Sequence, residues 1–229
     1  MYKGKSFLAI IPARYGSKSI VNKNLQKIGK KSLLGRSIDH AKQSRYIDHI
    51  VVSTNGKDIK EEALFYRAAV VDRPEEISGP LDSTESALIH AVENINKEFD
   101  YVVLLQPTSP FRLDGMIDRC IRKIVDEDGD SLLTVWKFHN FCFYYEEKNG
   151  ELKSTFDYLN RPMRQKLNLK EWFNFDNGNV YIIKTKCLLD SKCRISGKVL
   201  LEPITAFETI QIDEQEDLEV CQKIIKGDF

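Results

Sequence analysis

Three features of the sequence predict an α/β fold with a mostly parallel sheet. The first is spacing. Short apolar runs at residues 7–11, 50–54 and 69–71 alternate with stretches whose apolar residues recur at helical intervals, the pattern of βαβ units. The second is a glycine loop directly after the first apolar run, because open parallel sheets bind ligands at the carboxyl ends of their strands. The third is the supply of core. Apolar residues make up 42% of 229, enough for one domain with room for a small appendage.

Phe7-Leu8-Ala9-Ile10-Ile11 is wholly apolar, as in a strand buried on both faces, and Pro12 stops it. The loop that follows holds Gly16, small hydroxyls and the cations Arg14, Lys18 and Lys23. Its N–H groups can turn toward an anion while the cations neutralise phosphate charge. It has neither the Walker pattern nor Gly-x-Gly-x-x-Gly. It reads as a polyphosphate loop, with a solvated basic turn as the alternative. Residues 32–45 carry apolar positions at 33, 34, 38 and 41, a helix with Ser32 as N-cap. The run 50–54 is a second buried strand. Asn55-Gly56 turns the chain into a helix over 57–68 with apolar Ile59, Ala63, Leu64 and Ala68, and 69–71 is a short strand.

Two prolines and a glycine make 72–81 a loop. Asp82 opens a helix to about Lys97, and Asp82 with Glu85 has capping-box spacing. Capping is the preferred role for Asp82 and an open alternative for Ser86. Residues 101–105 are a further strand, stopped by the loop Gln106-Pro107-Thr108-Ser109-Pro110-Phe111-Arg112. An amide at a strand end donates and accepts at once, which suits a sugar hydroxyl; bracing the loop is the other reading of Gln106. A helix over 113–127 and a strand over 131–136 follow. From 137 to about 176 aromatics crowd and Asn149-Gly150 reads as a hairpin turn. This stretch reads as an antiparallel excursion whose aromatics fit an interface or plain core. The chain re-enters the sheet over 175–183. A helix over 214–226 closes the sequence, with Asp213 and Glu216 at capping-box spacing.

Composition narrows the function. Lys+Arg and Asp+Glu are both 34, which argues against a general nucleic-acid binder. The charge is uneven, however. Residues 1–45 hold eleven Lys/Arg and one acid, Asp39. A basic segment around a glycine loop suits a bound polyanion, although at least half of these cations read as solvated surface. The five cysteines are odd in number and form no C-x-x-C, so they read as reduced thiols of a cytosolic protein. The four histidines show no ligand spacing. No signal peptide or long apolar run appears, hence no membrane is expected.

Several motifs together resemble one family. Ile11-Pro12-Ala13-Arg14, Gly16-Ser17-Lys18 and Lys23-Asn24 look like the signature loop of the acylneuraminate cytidylyltransferases. These are the CMP-sialic acid synthetases and their relatives for legionaminic, pseudaminic and ketodeoxyoctonic acids. Arg73-Pro74, the Ser/Thr-rich stretch 82–86, Leu104-Leu105-Gln106-Pro107-Thr108-Ser109-Pro110 with Arg112, Arg164-Gln165 and Asn177-Gly178 match in the same order. The resemblance runs from Ile10 to Ile225. Tyr15 stands where glycine is frequent, and Val21-Asn22 where a proline and a basic residue are frequent. Gln211 stands where many relatives begin Asp-Ile-Asp.

The resemblance implies a Rossmann-like sheet with helices on both faces, of nucleotide-diphospho-sugar transferase type. It also implies a small dimerisation subdomain near 137–176 and a homodimer, while the cysteine reading above gives the cytoplasmic location. The implied reaction joins CTP to a 2-keto-3-deoxy nonulosonic acid, giving a CMP-sugar and pyrophosphate. Arg14, Lys18 and Lys23 would act on the triphosphate, with Ala13, Gly16, Ser17 and Asn24 beside the nucleotide and Arg73 and Ser86 beside the base. Gln106, Arg164, Gln165 and Asn177 would hold the sugar acid, with Arg161 as a rival for its carboxylate. Asp213 would hold Mg²⁺, for which one carboxylate plus phosphates can suffice. No general base is evident, so a metal-lowered hydroxyl pKa is preferred. A non-catalytic nucleotide-sugar binder, a transferase for another base or acceptor, and an enzyme for an eight-carbon acid are the alternatives.

Overall fold

The computed structural model describes residues 1–139, 141–167 and 172–227. The strands are β1 (Phe7–Pro12), β2 (Lys27–Ile28), β3 (Lys31–Ser32), β4 (His49–Thr54), β5 (Ala69–Asp72), β6 (Tyr101–Leu105), β7 (Ser131–His139), β8 (Phe143–Tyr145), β9 (Leu152–Ser154), β10 (Trp172–Lys184) and β11 (Val199–Ile204). The helices are α1 (Leu33–Gln43), α2 (Lys57–Phe65), α3 (Thr84–Glu93), α4 (Met116–Asp126), α5 (Thr185–Ser191) and α6 (Gln215–Lys226).

One sheet organises the chain, in the order β11-β7-β10-β6-β1-β4-β5. β10 pairs antiparallel with both neighbours, and the other pairs are parallel. β10 therefore runs alone against the rest, and the expected mostly parallel sheet holds. After β5 the chain crosses back to lay β6 on the far side of β1. That reversal opens a crevice at the carboxyl ends of β1 and β6.

The continuous apolar run of β1 has a simple cause. Phe7, Ala9 and Ile11 pack with Leu34, Ile38, Ile59 and Ile121 on one face, from α1, α2 and α4. Leu8 and Ile10 pack with Leu88, Ala91 and Leu188 on the other, from α3 and α5. Each Phe, Leu or Ile among them contributes about 1.5–3 kcal/mol when fully buried. A third cluster, with Ile20, Phe111, Ile212 and Leu218, ties the loops after β1 and β6 to α6.

Several local expectations need correction. Ser32 caps α1 as expected, accepting from Gly35 N at 2.9 Å. α2 stops at Phe65, and Leu64 is exposed. The cap of α3 is Ser83, whose Oγ accepts from Ser86 N at 3.1 Å. Asp82 cannot fill that position because its carboxylate closes a local turn, accepting from Gly79 N at 2.6 Å. Glu85, its expected box partner, instead pairs with Arg194 at 2.8 Å. α3 ends at Glu93 rather than Lys97, where the Asn94 amide donates to His90 O. α4 begins at Met116 because Gly115 has φ +78. The capping box of α6 falls one residue later than expected, between Glu214 and Asp217. Before it, Ile212 N donates to Thr108 O at 2.9 Å, tying residues 210–213 to the loop after β6.

β7 and the first half of β10 run beyond the main sheet as a two-stranded ribbon, paired from Trp136–Phe175 out to His139–Trp172. The hairpin β8–β9 lies beyond it, turning through Gly150 at φ +69. This is the expected antiparallel excursion; Asn140 and residues 168–171 within it lie outside the described residues. Phe143, Tyr144, Tyr145, Tyr158, Phe173 and Phe175 are exposed rather than core. The cysteines are free thiols. Among the described residues, no helix is long and apolar enough to cross a membrane.

Candidate active site

Loops at the carboxyl ends of β1, β5 and β6 enclose a cleft of about 210 Å³. Arg14, Ser17, Lys23 and Asn24 come from the first loop, Arg73 and Asp82 to Thr84 from the second, and Gln106 and Thr108 from the third. A larger cleft of about 690 Å³ lies at the opposite ends of the strands, against Val92, Ile95, Phe99 and Leu189. It contains none of the glycine-loop cations.

The first loop is held by its own polar groups. Gly16 takes φ +76, and its carbonyl accepts from Arg14 Nη1 at 3.2 Å. Asn24 Nδ2 donates to Arg14 O at 3.1 Å. Ala13 is buried and donates its N–H to Ser53 O. Lys23 reaches across to the segment before α6. Its Nζ donates to Ile212 O at 3.1 Å and Asp213 O at 2.9 Å, and lies 3.8 Å from Asp213 Oδ1. Ser19 Oγ donates to the same Asp213 carbonyl at 2.6 Å. Lys18 is exposed on the loop and outside the cleft walls.

Arg73 is the buried cation of the second wall, 7% exposed, with Nη2 donating to Ser53 O at 2.6 Å. Its Nε is buried without a partner. Burial, and then the positive charge of Arg14, push its pKa down to about 10, so it stays charged at neutral pH. Ser83 and Thr84 bring the amino end of α3 to the cleft, where N–H groups and the helix dipole favour anions. Ser86 sits one turn in, its Oγ bonded to Ser83 O at 2.7 Å, and is not on the wall.

The third wall is built on Arg112, the end of the Gln-Pro-Thr-Ser-Pro motif. This buried guanidinium donates to Gln106 O, Ser109 O, Asn179 O and Ser37 Oγ at 2.7–3.2 Å. Burial lowers its pKa to about 9. With Arg112 bracing the backbone, the Gln106 side chain is left to line the cleft. The irregularity in β10 packs against Gln106 from behind, and neither Asn177 nor Gly178 lines the cleft itself. Gly178 has φ +67, and a β-carbon there would lie 2.6 Å from Gln106 Oε1. Asn177 turns its amide inward, Oδ1 accepting from Thr134 Oγ1 at 3.0 Å and Asn179 N at 3.1 Å. Its Nδ2 is buried without a partner.

Arg164 and Gln165 are exposed on the short 3-10 turn Arg164–Lys166 of the excursion and do not line the cleft. Arg161 lies over the Phe141 ring, 4.6 Å from its centroid. Asp213 presents a carboxylate that is 72% exposed. Among the described residues, no group of three His, Cys, Asp or Glu could hold a metal ion. A lone carboxylate holds a hard cation only where phosphates and water complete its shell. The carboxamide of Gln211 is engaged elsewhere, with Ser109, Asn177 and Thr108.

Sequence reasoning thus missed Ser83, Thr84 and Thr108 as wall residues, and Asp82 beyond its capping role. The Ser/Thr-rich start of α3 was the signal for Asp82, Ser83 and Thr84, and Thr108 stood within the Gln-Pro-Thr-Ser-Pro motif. Arg112 was visible only as the last letter of a motif, because a buried cation cannot be told from a surface one by type.

A cytidylyltransferase family model matches residues 8–171. The CMP-N,N'-diacetyllegionaminic acid synthase of Legionella pneumophila is 31% identical over 231 residues, covering 96% of each chain. The pseudaminic acid cytidylyltransferase of Campylobacter jejuni is 32% identical over 149 residues, 62% of this chain and 64% of that one. Among solved structures, a CMP:2-keto-3-deoxy-manno-octonic acid synthetase complexed with CTP superposes with a TM-score of 0.71. That alignment covers 98% of this chain and all of the other at 12% identity, and so supports the fold alone. From the matched family model and the legionaminic relative along nearly its whole length, the chain belongs to the cytidylyltransferase family.

Proposed function

We propose that this chain activates a nine-carbon 2-keto-3-deoxy sugar acid with CTP, releasing pyrophosphate. One observation carries the reading: Arg14, Lys23 and Arg73 converge with Gln106 in a cleft at the β1–β6 crossover. Three cations suit a triphosphate, and the Gln106 amide suits a sugar hydroxyl. The names of the legionaminic and pseudaminic relatives support a nonulosonic rather than an eight-carbon acid.

In this reading the anomeric hydroxyl oxygen attacks the α-phosphorus in line. The bond from that phosphorus to the oxygen bridging the α- and β-phosphates breaks, and pyrophosphate leaves with the electron pair. Arg14 and Lys23 neutralise charge that builds on the phosphate oxygens. Arg73 and the amino end of α3 hold the nucleotide, and Gln106 orients the acceptor. A Mg²⁺ ion bound by Asp213 and the phosphates would add charge neutralisation and a lower hydroxyl pKa. In this reading the hydroxyl proton passes to solvent.

The exposed aromatics of the excursion support a homodimer through that surface. The free thiols and the use of CTP support a cytoplasmic location. The deciding experiment measures pyrophosphate release with CTP and Mg²⁺ against neuraminic, legionaminic, pseudaminic and ketodeoxyoctonic acids. Release with a nine-carbon acid is expected. Release only with the eight-carbon acid, or none in protein that binds CTP, overturns the reading.

A further inference from the structure

Gln211 occupies a junction that no assigned role explains. Its Nε2 donates to Ser109 Oγ and to Asn177 O, both at 2.6 Å. Its Oε1 accepts from Thr108 Oγ1 at 3.0 Å. One carboxamide thus joins three segments: the loop after β6, the irregular turn of β10 and the strap before α6. The orientation of the amide is fixed by chemistry. A carbonyl such as Asn177 O can only accept, so the atom facing it must be a nitrogen bearing hydrogen.

We infer that Gln211 is a positioning residue: its amide clasps the Asn177-Gly178 turn against the Thr108-Ser109 loop and so fixes the acceptor end of the cleft. The turn matters because Gly178 abuts the Gln106 side chain, and Gln106 stands on the cleft wall. If the turn shifts, Gln106 loses the surface that aims it. The strap itself has other anchors. Ile212 N bonds to Thr108 O, Ile212 is fully buried, and Lys23 and Ser19 hold the Asp213 carbonyl. Loss of the Gln211 amide therefore disturbs the Gln106 side and leaves Asp213 and the nucleotide wall in place. A carboxylate at 211 would set an acceptor against the Asn177 carbonyl, so it cannot replace the amide.

The inference rests on the proposed reaction, and the test separates the two. Gln211→Met removes the amide at similar volume, and Gln211→Glu keeps the shape while removing the donor. Both variants are expected to lower kcat/KM for the sugar acid about tenfold or more, through KM, as for a lost buried hydrogen bond. CTP affinity without sugar is expected to stay within about twofold, and Mn²⁺ binding to the CTP complex of Gln211→Glu not to tighten. The Mn²⁺ and CTP readouts need no turnover, so a wild type inert with every acid overturns the reaction and leaves the clasp testable. Tighter Mn²⁺ binding or faster turnover in Gln211→Glu makes position 211 a cation-ligand site and overturns the clasp. An unchanged sugar KM in Gln211→Met does the same. Should either variant fold poorly, Ser109→Ala removes one partner of the amide. Ser109→Ala then carries the same expectation of a raised sugar KM with unchanged CTP affinity, and an unchanged sugar KM refutes the clasp.

Discussion

Gly178→Ala separates the backbone of the site from its chemistry. Gly178 has φ +67, and a methyl group there would lie 2.6 Å from Gln106 Oε1 and 3.6 Å from Gln211 Oε1. The left-handed conformation costs a residue with a β-carbon about 1–2 kcal/mol. For a chain of this size that is a Tm loss of about 2–8 °C. The clash adds little to stability, because the atom met is the far end of a flexible side chain. It does move Gln106, and misplacing an orienting group by about 1 Å can cost about a hundredfold in rate. The expected signature is a modest Tm shift beside a large fall in kcat/KM for the sugar acid, with CTP affinity retained. Gly178→Asn divides the two causes. Asn tolerates positive φ, so it recovers most of the Tm, yet its β-carbon occupies the same point and the kinetic loss persists. Differential scanning fluorimetry and pyrophosphate-coupled kinetics on both variants make the comparison. A sugar KM unchanged in both would refute the reasoning that Gln106 and the turn act together.

Other expectations follow from single contacts. Lys23→Ala keeps the fold by circular dichroism and lowers kcat by about 10²–10³-fold, as for one lost transition-state donor; a near-normal rate removes Lys23 from the mechanism. Arg112→Met removes the guanidinium donor from the carbonyls of Gln106, Ser109 and Asn179, of which Gln106 O retains Ser109 N–H. It is expected to destabilise by about 3–5 kcal/mol in urea titration, and a loss below about 1 kcal/mol contradicts the bracing role. Burial, and then Arg112, Arg36 and Lys31, push the His40 pKa from 6.5 down to about 3. Its folded pKa is lowered, so the native state binds fewer protons than the unfolded one. The stability His40 contributes is complete above about pH 6.5 and falls away as pH drops toward about 3. His40→Leu should flatten that part of the Tm–pH curve, and an unaltered slope assigns it to other groups.

The strands that carry the site were legible because burial on both sheet faces leaves a continuous apolar run, as in β1 and β6. Caps were read less well. Asp82 and Ser83 are both good N-caps, and only the turn from Gly79 decides between them. The edge strand β11 was missed because Val199–Ile204 contains Pro203 and alternates partly buried with exposed residues. Proline is tolerated there because an edge strand leaves one row of N–H groups unused. Gln211 was read as a departure from an acidic pattern. Only the contacts reveal an amide with both N–H donors and its oxygen engaged, and a sequence records residue type but not what the amide faces.

Arg164 and Gln165 pose the remaining problem, since the motif that singles them out places them on the excursion and away from their own chain's cleft. A second copy, docked through the exposed aromatics of the same excursion, would let these residues serve its partner's cleft. The idea has a test that no single variant provides. Lys23→Ala disables the cleft of its own subunit, whereas Arg164→Ala would disable that of the neighbour. Co-refolding the two inactive variants gives mixed dimers with one intact composite site. Half the dimers are mixed and half their sites work, so about a quarter of wild-type activity should return. The same mixture of Lys23→Ala with Arg14→Ala should regain none, because both changes lie in one loop. Recovery in the first mixture alone puts Arg164 across the interface. No recovery in either confines its role to its own subunit or removes it from the site.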